Sequence, residues 1–340
     1  MPRTFNIILH ETSSYGLRPQ SKLGQYDFPF TLNSTVGCFF GCTYCYAPFI
    51  VYGLKPNRKE LFFNNVHVKL DKPAHLEKEL ERFKTLPQHM KRVQINETSE
   101  YYLPQLLTKL DSDGIDLMGD ILKVFKRHWE EGNCWMLHIL TKSRLILKHL
   151  ELLKEMKHMV QIEMSFASSD EEITRSLEYF TPSVKRRLEA MEILASNGIF
   201  VRVMAMPFCG DELALIELQE ITFGSGASAF KNKNLNYYVN WDDLAKERSW
   251  EKYLTEKIAT GKGREDLHFD ELIIKSGEYV NVDNEHVTKT VMMPIMDGNC
   301  EALYNWSAIS FFDERFANRQ MNMIDCGYGD CNNLDWNYII

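Results

Sequence analysis

The sequence predicts an α/β fold, a partial (β/α)6 TIM-like barrel with a C-terminal extension. Short runs of β-forming residues alternate with long amphipathic stretches over most of the 340 residues. Parallel strands need long return connections, so this alternation indicates a parallel sheet covered by helices. Six units rather than eight indicate an open or partial barrel. The alternation stops near residue 240, which predicts a barrel over 1–240 and an extension packed on it over 241–340.

Each unit is assigned from its hydrophobic period and its end signals. The predicted strands are Phe30–Val36, Arg92–Asn96, Trp135–Leu140, Val160–Phe166, Phe200–Met206 and Asn236–Val239. The predicted helices are Ala74–Lys84, Gly119–Glu131, Ser143–Met156, Ser169–Leu177, Ser183–Asn197 and about Asp211–Phe223. Ser168-Ser169-Asp170 supplies caps at the start of the helix near Ser169, and Asn197-Gly198 is a C-cap after the helix that begins near Ser183. In the extension, Leu272–Val282 contains a predicted hairpin.

Composition and charge argue against several classes of protein, among them membrane-spanning and secreted proteins. No apolar run approaches the roughly 18–20 residues that a membrane span needs, and the first residues lack a signal-peptide pattern. We therefore expect a soluble, cytoplasmic protein without a membrane partner. The net charge is −8, and residues 211–340 carry 12 basic and 23 acidic side chains, which argues against nonspecific nucleic-acid coating. Residues 55–92 are locally basic, a pattern that a solvated helix face also explains.

Three cysteines form the strongest motif in the sequence. Cys38, Cys42 and Cys45 follow the first predicted strand at Cys-x3-Cys-x2-Cys spacing. In a reducing compartment they indicate metal or redox chemistry, and three thiolates on one loop suit an iron–sulfur cluster. The next cysteine is Cys134, so one iron keeps an open position that can bind a ligand. A zinc site or three buried structural thiols are the alternatives, but zinc usually takes four protein ligands.

The loop resembles the signature of the radical S-adenosylmethionine (SAM) superfamily, with Tyr44 as the aromatic residue before the last cysteine. The resemblance implies a [4Fe-4S] cluster on the three cysteines, with SAM bound to the open iron. It also implies one-electron reduction, by a partner such as flavodoxin or ferredoxin, that cleaves SAM to a 5′-deoxyadenosyl radical. Over about residues 28–210 the chain is similar to the spore photoproduct lyase-like group within that superfamily.

The same resemblance implies further cofactor contacts. Lys142 and Ser143 would meet the SAM carboxylate, Glu163 the ribose hydroxyls, and Met206 the adenine. Arg175 matches an arginine that the group places near SAM. Each residue also has a structural interpretation: a strand-end lysine, an outward-facing glutamate, a core methionine, or an arginine on a helix surface.

The second predicted strand departs from the group. Spore photoproduct lyase returns a hydrogen atom from a cysteine some forty residues after its cluster, whereas this chain has no cysteine between Cys45 and Cys134. Thymine-dimer repair is therefore not expected. Asn96, Glu97 and Glu100 are candidates for substrate contact at the end of this strand, and Tyr101 is a candidate radical relay; capping and core packing are the structural alternatives.

Four later cysteines complete the set of eight. Cys209 directly follows the fifth predicted strand and is a candidate hydrogen-atom donor at the barrel mouth. A second iron–sulfur cluster or a soft metal could bind at Cys300, Cys326 and Cys331, although structural or catalytic thiols are alternatives.

Two functions from different classes follow. The preferred hypothesis is a radical SAM enzyme, of lyase or transferase type, that abstracts hydrogen from an unidentified substrate. That substrate would be a nucleotide or nucleic-acid base, or a small metabolite or peptide. The alternative is a noncatalytic iron–sulfur protein, either an electron carrier or a redox-sensing nucleic-acid binder.

Overall fold

An eight-stranded sheet organises the computed structural model, which describes residues 5–11, 15–19, 29–53, 55–86, 91–209, 212–232 and 309–312. The strands are β1 (Asn6–His10), β2 (Arg18–Pro19), β3 (Phe30–Leu32), β4 (Thr35–Val36), β5 (Asn65–Lys69), β6 (Arg92–Ile95), β7 (Met136–Thr141), β8 (Val160–Ser165), β9 (Phe200–Ala205), β10 (Ala229–Asn232) and β11 (Ile309–Phe312). The α-helices are α1 (Ala47–Tyr52), α2 (Arg58–Asn64), α3 (Lys72–Arg82), α4 (Pro104–Ser112), α5 (Leu117–Glu130), α6 (Leu150–Glu155), α7 (Glu171–Leu177), α8 (Val184–Ser196) and α9 (Glu212–Gly224). A 3-10 helix, Arg144–His149, precedes α6.

The large sheet has the order β11-β10-β9-β8-β7-β6-β3-β2. Its neighbours from β3 to β10 pair in parallel, while β2 and β11 are antiparallel edge strands. Helices lie in the crossovers between the parallel strands, as parallel pairing requires. The predicted α/β fold with a mostly parallel sheet is confirmed, and its six parallel strands agree with a partial barrel.

Both faces of the central strands are buried, as expected for a parallel sheet between helices and a filled interior. One face is apolar, and Trp135 beside β7 packs against Phe125 of α5 with ring centroids 6.5 Å apart. The other face carries polar side chains. Gln94 of β6 donates to Glu163 of β8 at 3.1 Å, and Arg202 of β9 pairs with the same carboxylate.

The first predicted strand is divided in the structure. The prediction ran from Phe30 to Val36, but β3 ends at Leu32 and Thr35–Val36 joins a second sheet of order β1-β5-β4. The chain leaves the large sheet because Thr35 and Val36 pair antiparallel with β5. An unbroken β-forming run therefore did not reveal a change of sheet in its middle.

Other helices and strands also differ from the predicted ones. The helix predicted over Ser143–Met156 begins as the 3-10 helix and becomes α-helical only at Leu150. Helix α4 was not predicted. The sixth parallel strand lies at Ala229–Asn232, where the sequence Ala-Phe-Lys-Asn gives only a weak β pattern, and the predicted strand at 236–239 lies outside the described residues.

The predicted extension is described only at β11, which pairs with β10 at the sheet edge. The predicted hairpin at 272–282 and the boundary at 240 lie outside the described residues. Among the helices that the structure describes, none has both the length and the apolar character needed to cross a membrane.

Candidate active site

The three motif cysteines lie on one loop between β4 and α1. The loop begins at Gly37, whose φ of +101° is a left-handed conformation that glycine adopts without steric cost. A Cβ at Gly37 would lie 2.0 Å from the carbonyl oxygen of Asn65, so a side chain cannot be placed there without a shift of the backbone. The next residue, Cys38, donates its backbone N–H to the carbonyl of Phe62 at 3.1 Å. The small sheet and α2 thus fix the start of the loop.

A segment after α7 fixes the other side of the cysteine loop. The backbone N–H of Thr43 donates to the carbonyl of Leu177 at 2.9 Å, and that of Phe180 donates to Phe40 at 3.1 Å. Between these bonds, Cys42 and Glu178 form an isolated antiparallel β-bridge. The crossover between β8 and β9 therefore holds the loop through backbone pairing, although the two segments are far apart in sequence.

Glu178 is the centre of a buried charged network beside this loop. One carboxylate oxygen, Oε1, accepts from the Tyr44 hydroxyl and lies 2.9 Å from the Lys142 ammonium. The other, Oε2, accepts from the Arg187 guanidinium and from the Thr181 hydroxyl, the latter at 3.0 Å. Burial alone would raise the pKa of Glu178, but Arg187 and Lys142 lower it to about 2. The carboxylate is therefore ionised at neutral pH.

Lys142 joins this network to the ends of neighbouring strands. Its ammonium donates to the Ser165 hydroxyl at 2.6 Å and lies 5.5 Å from the centre of the Tyr44 ring. Its backbone N–H donates to Glu100 at 3.0 Å, and the Thr141 hydroxyl donates to the same carboxylate at 2.9 Å. Burial raises the pKa of Glu100, although these donors oppose the shift. Glu100 thus ties the loop after β6 to the end of β7.

The environment of the thiols favours their protonated forms when no metal is bound. Burial raises the pKa of Cys45 to about 11, and burial together with Glu178 raises the pKa of Cys42 further. Burial and the neighbouring Cys42 also raise the pKa of Cys38, whose sulfur accepts from the backbone N–H of Phe40 at 3.5 Å. A metal that binds here must therefore displace protons.

The donor set fits an iron–sulfur cluster. Cys38, Cys42 and Cys45 are free thiols, and thiolates are the usual ligands of these clusters. The N–H donor on the sulfur of Cys38 is a further feature that tunes such clusters. Within the described ranges, no three His, Cys, Asp or Glu side chains are arranged around a single ion. A cluster does not need that arrangement, because each thiolate binds a different iron.

Two predicted cofactor contacts, Ser143 and Glu163, are engaged by the protein itself. The Ser143 hydroxyl accepts from Leu145 N–H at 3.2 Å and caps the 3-10 helix. Glu163 is fully buried and paired with Arg202. Arg175 lies on α7, beside an open depression that Glu171 also lines. The structure therefore places Lys142 and Tyr44 beside the cysteine loop, while Glu163 lies in the sheet interior.

The remaining predicted site residues lie at strand ends. Met206 follows β9 and is partly buried. Tyr101 is buried, and its hydroxyl accepts from the N–H of Met118 at 3.2 Å, an anchor for the start of α5. Cys209 is buried; burial and the nearby Glu178 raise the pKa of its thiol, to about 12, so the thiol is protonated. The roles assigned to these side chains stay predictions. Outside the described residues lie Cys300, Cys326 and Cys331.

Sequence reasoning missed Glu178 and Arg187 as site residues. Arg187 occupies the apolar face of α8 between Val184 and Met191, and its side chain is completely buried. An arginine at a core position of an amphipathic helix is a signal, because a buried arginine needs a buried partner. Nothing in the local sequence around Glu178 identifies it as that partner.

Sequence comparisons match the chain to one family model and to a relative. The model of the radical SAM superfamily matches residues 32–221, more than half of the chain. An uncharacterized protein of Methanocaldococcus jannaschii, MJ0683, is 25% identical over 261 residues, which cover 72% of this chain and 84% of that protein.

Solved structures are similar at low identity. A spore photoproduct lyase variant is 18% identical with a TM-score of 0.47, covering 63% of this chain and 56% of that one. SuiB of Streptococcus suis, solved with S-adenosylmethionine, is 15% identical with a TM-score of 0.43, covering 74% of this chain and 44% of that one. The chain thus spans about half the length of these solved proteins.

Proposed function

Because this chain belongs to the radical SAM superfamily, we propose that it is an enzyme that cleaves SAM reductively and abstracts a hydrogen atom from its substrate. The observation that carries the proposal is one loop with three free thiols beside the ammonium of Lys142. When bound there, a [4Fe-4S] cluster and SAM supply the 5′-deoxyadenosyl radical that takes the hydrogen atom. Cys38, Cys42 and Cys45 would hold the cluster.

The protein's own residues bind and orient the cofactor in this proposal. Lys142 provides a cation for the carboxylate of SAM in a site where most neighbouring side chains are buried, which strengthens such a pair relative to water. Tyr44 fixes the end of the loop through Glu178. Glu100 holds the backbone of Lys142 at the strand end. These contacts hold the Tyr44 hydroxyl and the backbone of Lys142 in place, so the site is preorganised.

Hydrogen-atom return is assigned to Cys209 in the same proposal. Its thiol is buried, and its raised pKa keeps the S–H bond intact at neutral pH, which is the form that can donate a hydrogen atom. Tyr101 remains a second candidate relay, although its hydroxyl already accepts from Met118. The substrate would be a nucleotide or nucleic-acid base, or a small metabolite or peptide.

The partners follow from the same chemistry. Reductive cleavage needs a one-electron donor, so we propose a flavodoxin or ferredoxin as the reductant and the reducing cytoplasm as the compartment. A second cluster at Cys300, Cys326 and Cys331 remains a separate prediction, since these cysteines lie outside the described residues.

Product analysis tests this function directly. Anaerobically reconstituted protein with dithionite and SAM is expected to release 5′-deoxyadenosine, measured by liquid chromatography and mass spectrometry. Cys42→Ala should give none because it removes a cluster ligand, while Cys134→Ala, outside the loop, should keep the activity. A fully assembled, reducible cluster that leaves SAM intact would contradict the enzyme and indicate an electron-transfer protein.

A further inference from the structure

The network around Glu178 contains two cations for one carboxylate. Arg187 and Lys142 both pair with Glu178. Glu100 is near, but it accepts from the backbone N–H of Lys142 and no salt bridge joins it to the ammonium in the described part of the chain. Lys142 is therefore paired with a carboxylate that Arg187 already neutralises.

The two cations differ in how firmly they are held. The Arg187 side chain is 0% exposed and donates to the carbonyls of Ser165 and Pro182, each at 2.9 Å, as well as to Glu178. The Lys142 side chain is 15% exposed, on a flexible stem, while the Glu178 side chain is 0% exposed. Lys142 is thus the member of the network that can turn toward a ligand.

Glu178 remains satisfied if Lys142 leaves it. Its Oε1 keeps the Tyr44 hydroxyl, and its Oε2 keeps both Arg187 and Thr181. The Arg187 guanidinium still balances the buried carboxylate. Breaking a buried ion pair is usually costly because one buried charge loses its partner. Departure of the ammonium leaves no such charge here, because Arg187 stays paired with Glu178.

We propose that Glu178 is a positioning residue that holds the Lys142 ammonium beside the cysteine loop and yields it to the carboxylate of an incoming ligand. The inference rests on the function proposed above, under which that ligand is SAM. One carboxylate replaces another on Lys142, so the ammonium keeps a carboxylate partner before and after the ligand binds. Glu178 competes with the ligand and thereby sets its affinity.

Binding of two matched ligands tests the exchange. Decarboxylated SAM keeps the nucleoside, the sulfonium and the amine but has no carboxylate. For Glu178→Gln, we expect the ratio of the Kd for decarboxylated SAM to the Kd for SAM to rise roughly three- to tenfold. The reason is that the carboxylate of SAM no longer competes with Glu178 for the Lys142 ammonium. Both Kd values are measured anaerobically by equilibrium dialysis on reconstituted protein.

Three further variants separate positioning from folding. Thr181→Val removes a neutral donor from Glu178, so it should leave the ratio unchanged even if the melting temperature falls. Lys142→Met should lower the ratio below the wild-type value, because the carboxylate of SAM loses its cation. Should Glu178→Gln fail to fold, Glu178→Asp keeps the charge near Arg187 while shortening the reach to Lys142, and the ratio should still rise.

The outcomes distinguish this inference from the proposed function. Wild-type protein that shows no preference for SAM over its decarboxylated form, and releases no 5′-deoxyadenosine, contradicts the function itself. If wild-type protein prefers SAM but the Glu178 variants give an unchanged or lower ratio of the two Kd values, only the proposed exchange on Lys142 is overturned and the proposed function stands.

Discussion

Two kinds of contact between single residues build the site, one local in the sequence and one between distant segments. The three cysteines lie within eight consecutive residues, so their spacing alone indicates a shared ligand. Tyr44 and Glu178 are 134 residues apart, and only the pairing of two loops brings them together. Local spacing can identify metal ligands, whereas a buried ion pair between distant segments has no local pattern.

Iron content tests the cysteine assignment residue by residue. Cys42→Ala is expected to reduce bound iron by about four per chain, because one of three cluster ligands is lost. Cys134→Ala is the matched control: Cys134 is also a free cysteine but lies outside the loop, so iron should be unchanged. Colorimetric iron and sulfide assays on anaerobically purified protein give both values. Equal iron in the two variants would contradict the assignment.

The same assay examines the C-terminal cysteines. If Cys326→Ala also lowers total iron by about four, a second cluster gains support. If iron in that variant equals the wild-type value, the second cluster is excluded, and the three C-terminal cysteines serve another role.

At the scale of elements, end signals predicted helices better than strand patterns predicted strands. Asp170 accepts from the N–H of Glu172 at 2.7 Å and of Ile173 at 3.1 Å, as the predicted cap requires. Gly198 has a φ of +82° after α8, as the predicted C-cap requires. Such signals depend on adjacent residues. The division of Phe30–Val36 between two sheets depends on distant partners and so was not predicted.

The start of α5 provides a pH-dependent prediction at this scale. Asp116 caps α5 and accepts from His149 at 2.8 Å. Burial opposes ionisation, but His149 and Lys148 lower the pKa of Asp116 below its ordinary value of 3.8. A lowered folded-state pKa means that the carboxylate stabilises the fold above about pH 4, and that this stability is lost as the pH falls through the folded value.

Asp116→Asn should therefore lower the melting temperature at pH 7, and its difference from wild type should shrink below about pH 4. Asparagine caps helices as well as aspartate does, so the variant isolates the charge. Asp116→Ala should cost about 1 kcal/mol more, since it also removes the cap. Thermal unfolding followed by circular dichroism at several pH values measures each effect. A difference that is constant across the pH range would contradict the linkage.

At the scale of the whole molecule, the mostly parallel sheet could be predicted because strands alternate with helices along the chain. The polar side chains on the interior face of the sheet could not be predicted. Apolar and polar residues alternate along β8, but nothing local shows that Gln94, Glu163 and Arg202 meet across the sheet. The resemblance assigned Glu163 to the ribose of SAM, whereas the structure engages its carboxylate with Arg202 and Gln94.

A double-mutant cycle across the sheet tests what this interior pair contributes. Glu163→Leu alone should cost about 3–5 kcal/mol in the free energy of unfolding, because it leaves the buried Arg202 without its carboxylate. Arg202→Met alone should be similarly unfavourable. Together the two changes should recover most of that loss, since an apolar pair of similar volume avoids burying charge. Denaturant unfolding of the four proteins gives the coupling energy; additive losses would contradict a paired interior. The double variant then allows SAM affinity to be compared at matched stability: a weaker Kd assigns the Glu163–Arg202 pair to the cofactor site, and an equal Kd assigns both residues to the barrel interior alone.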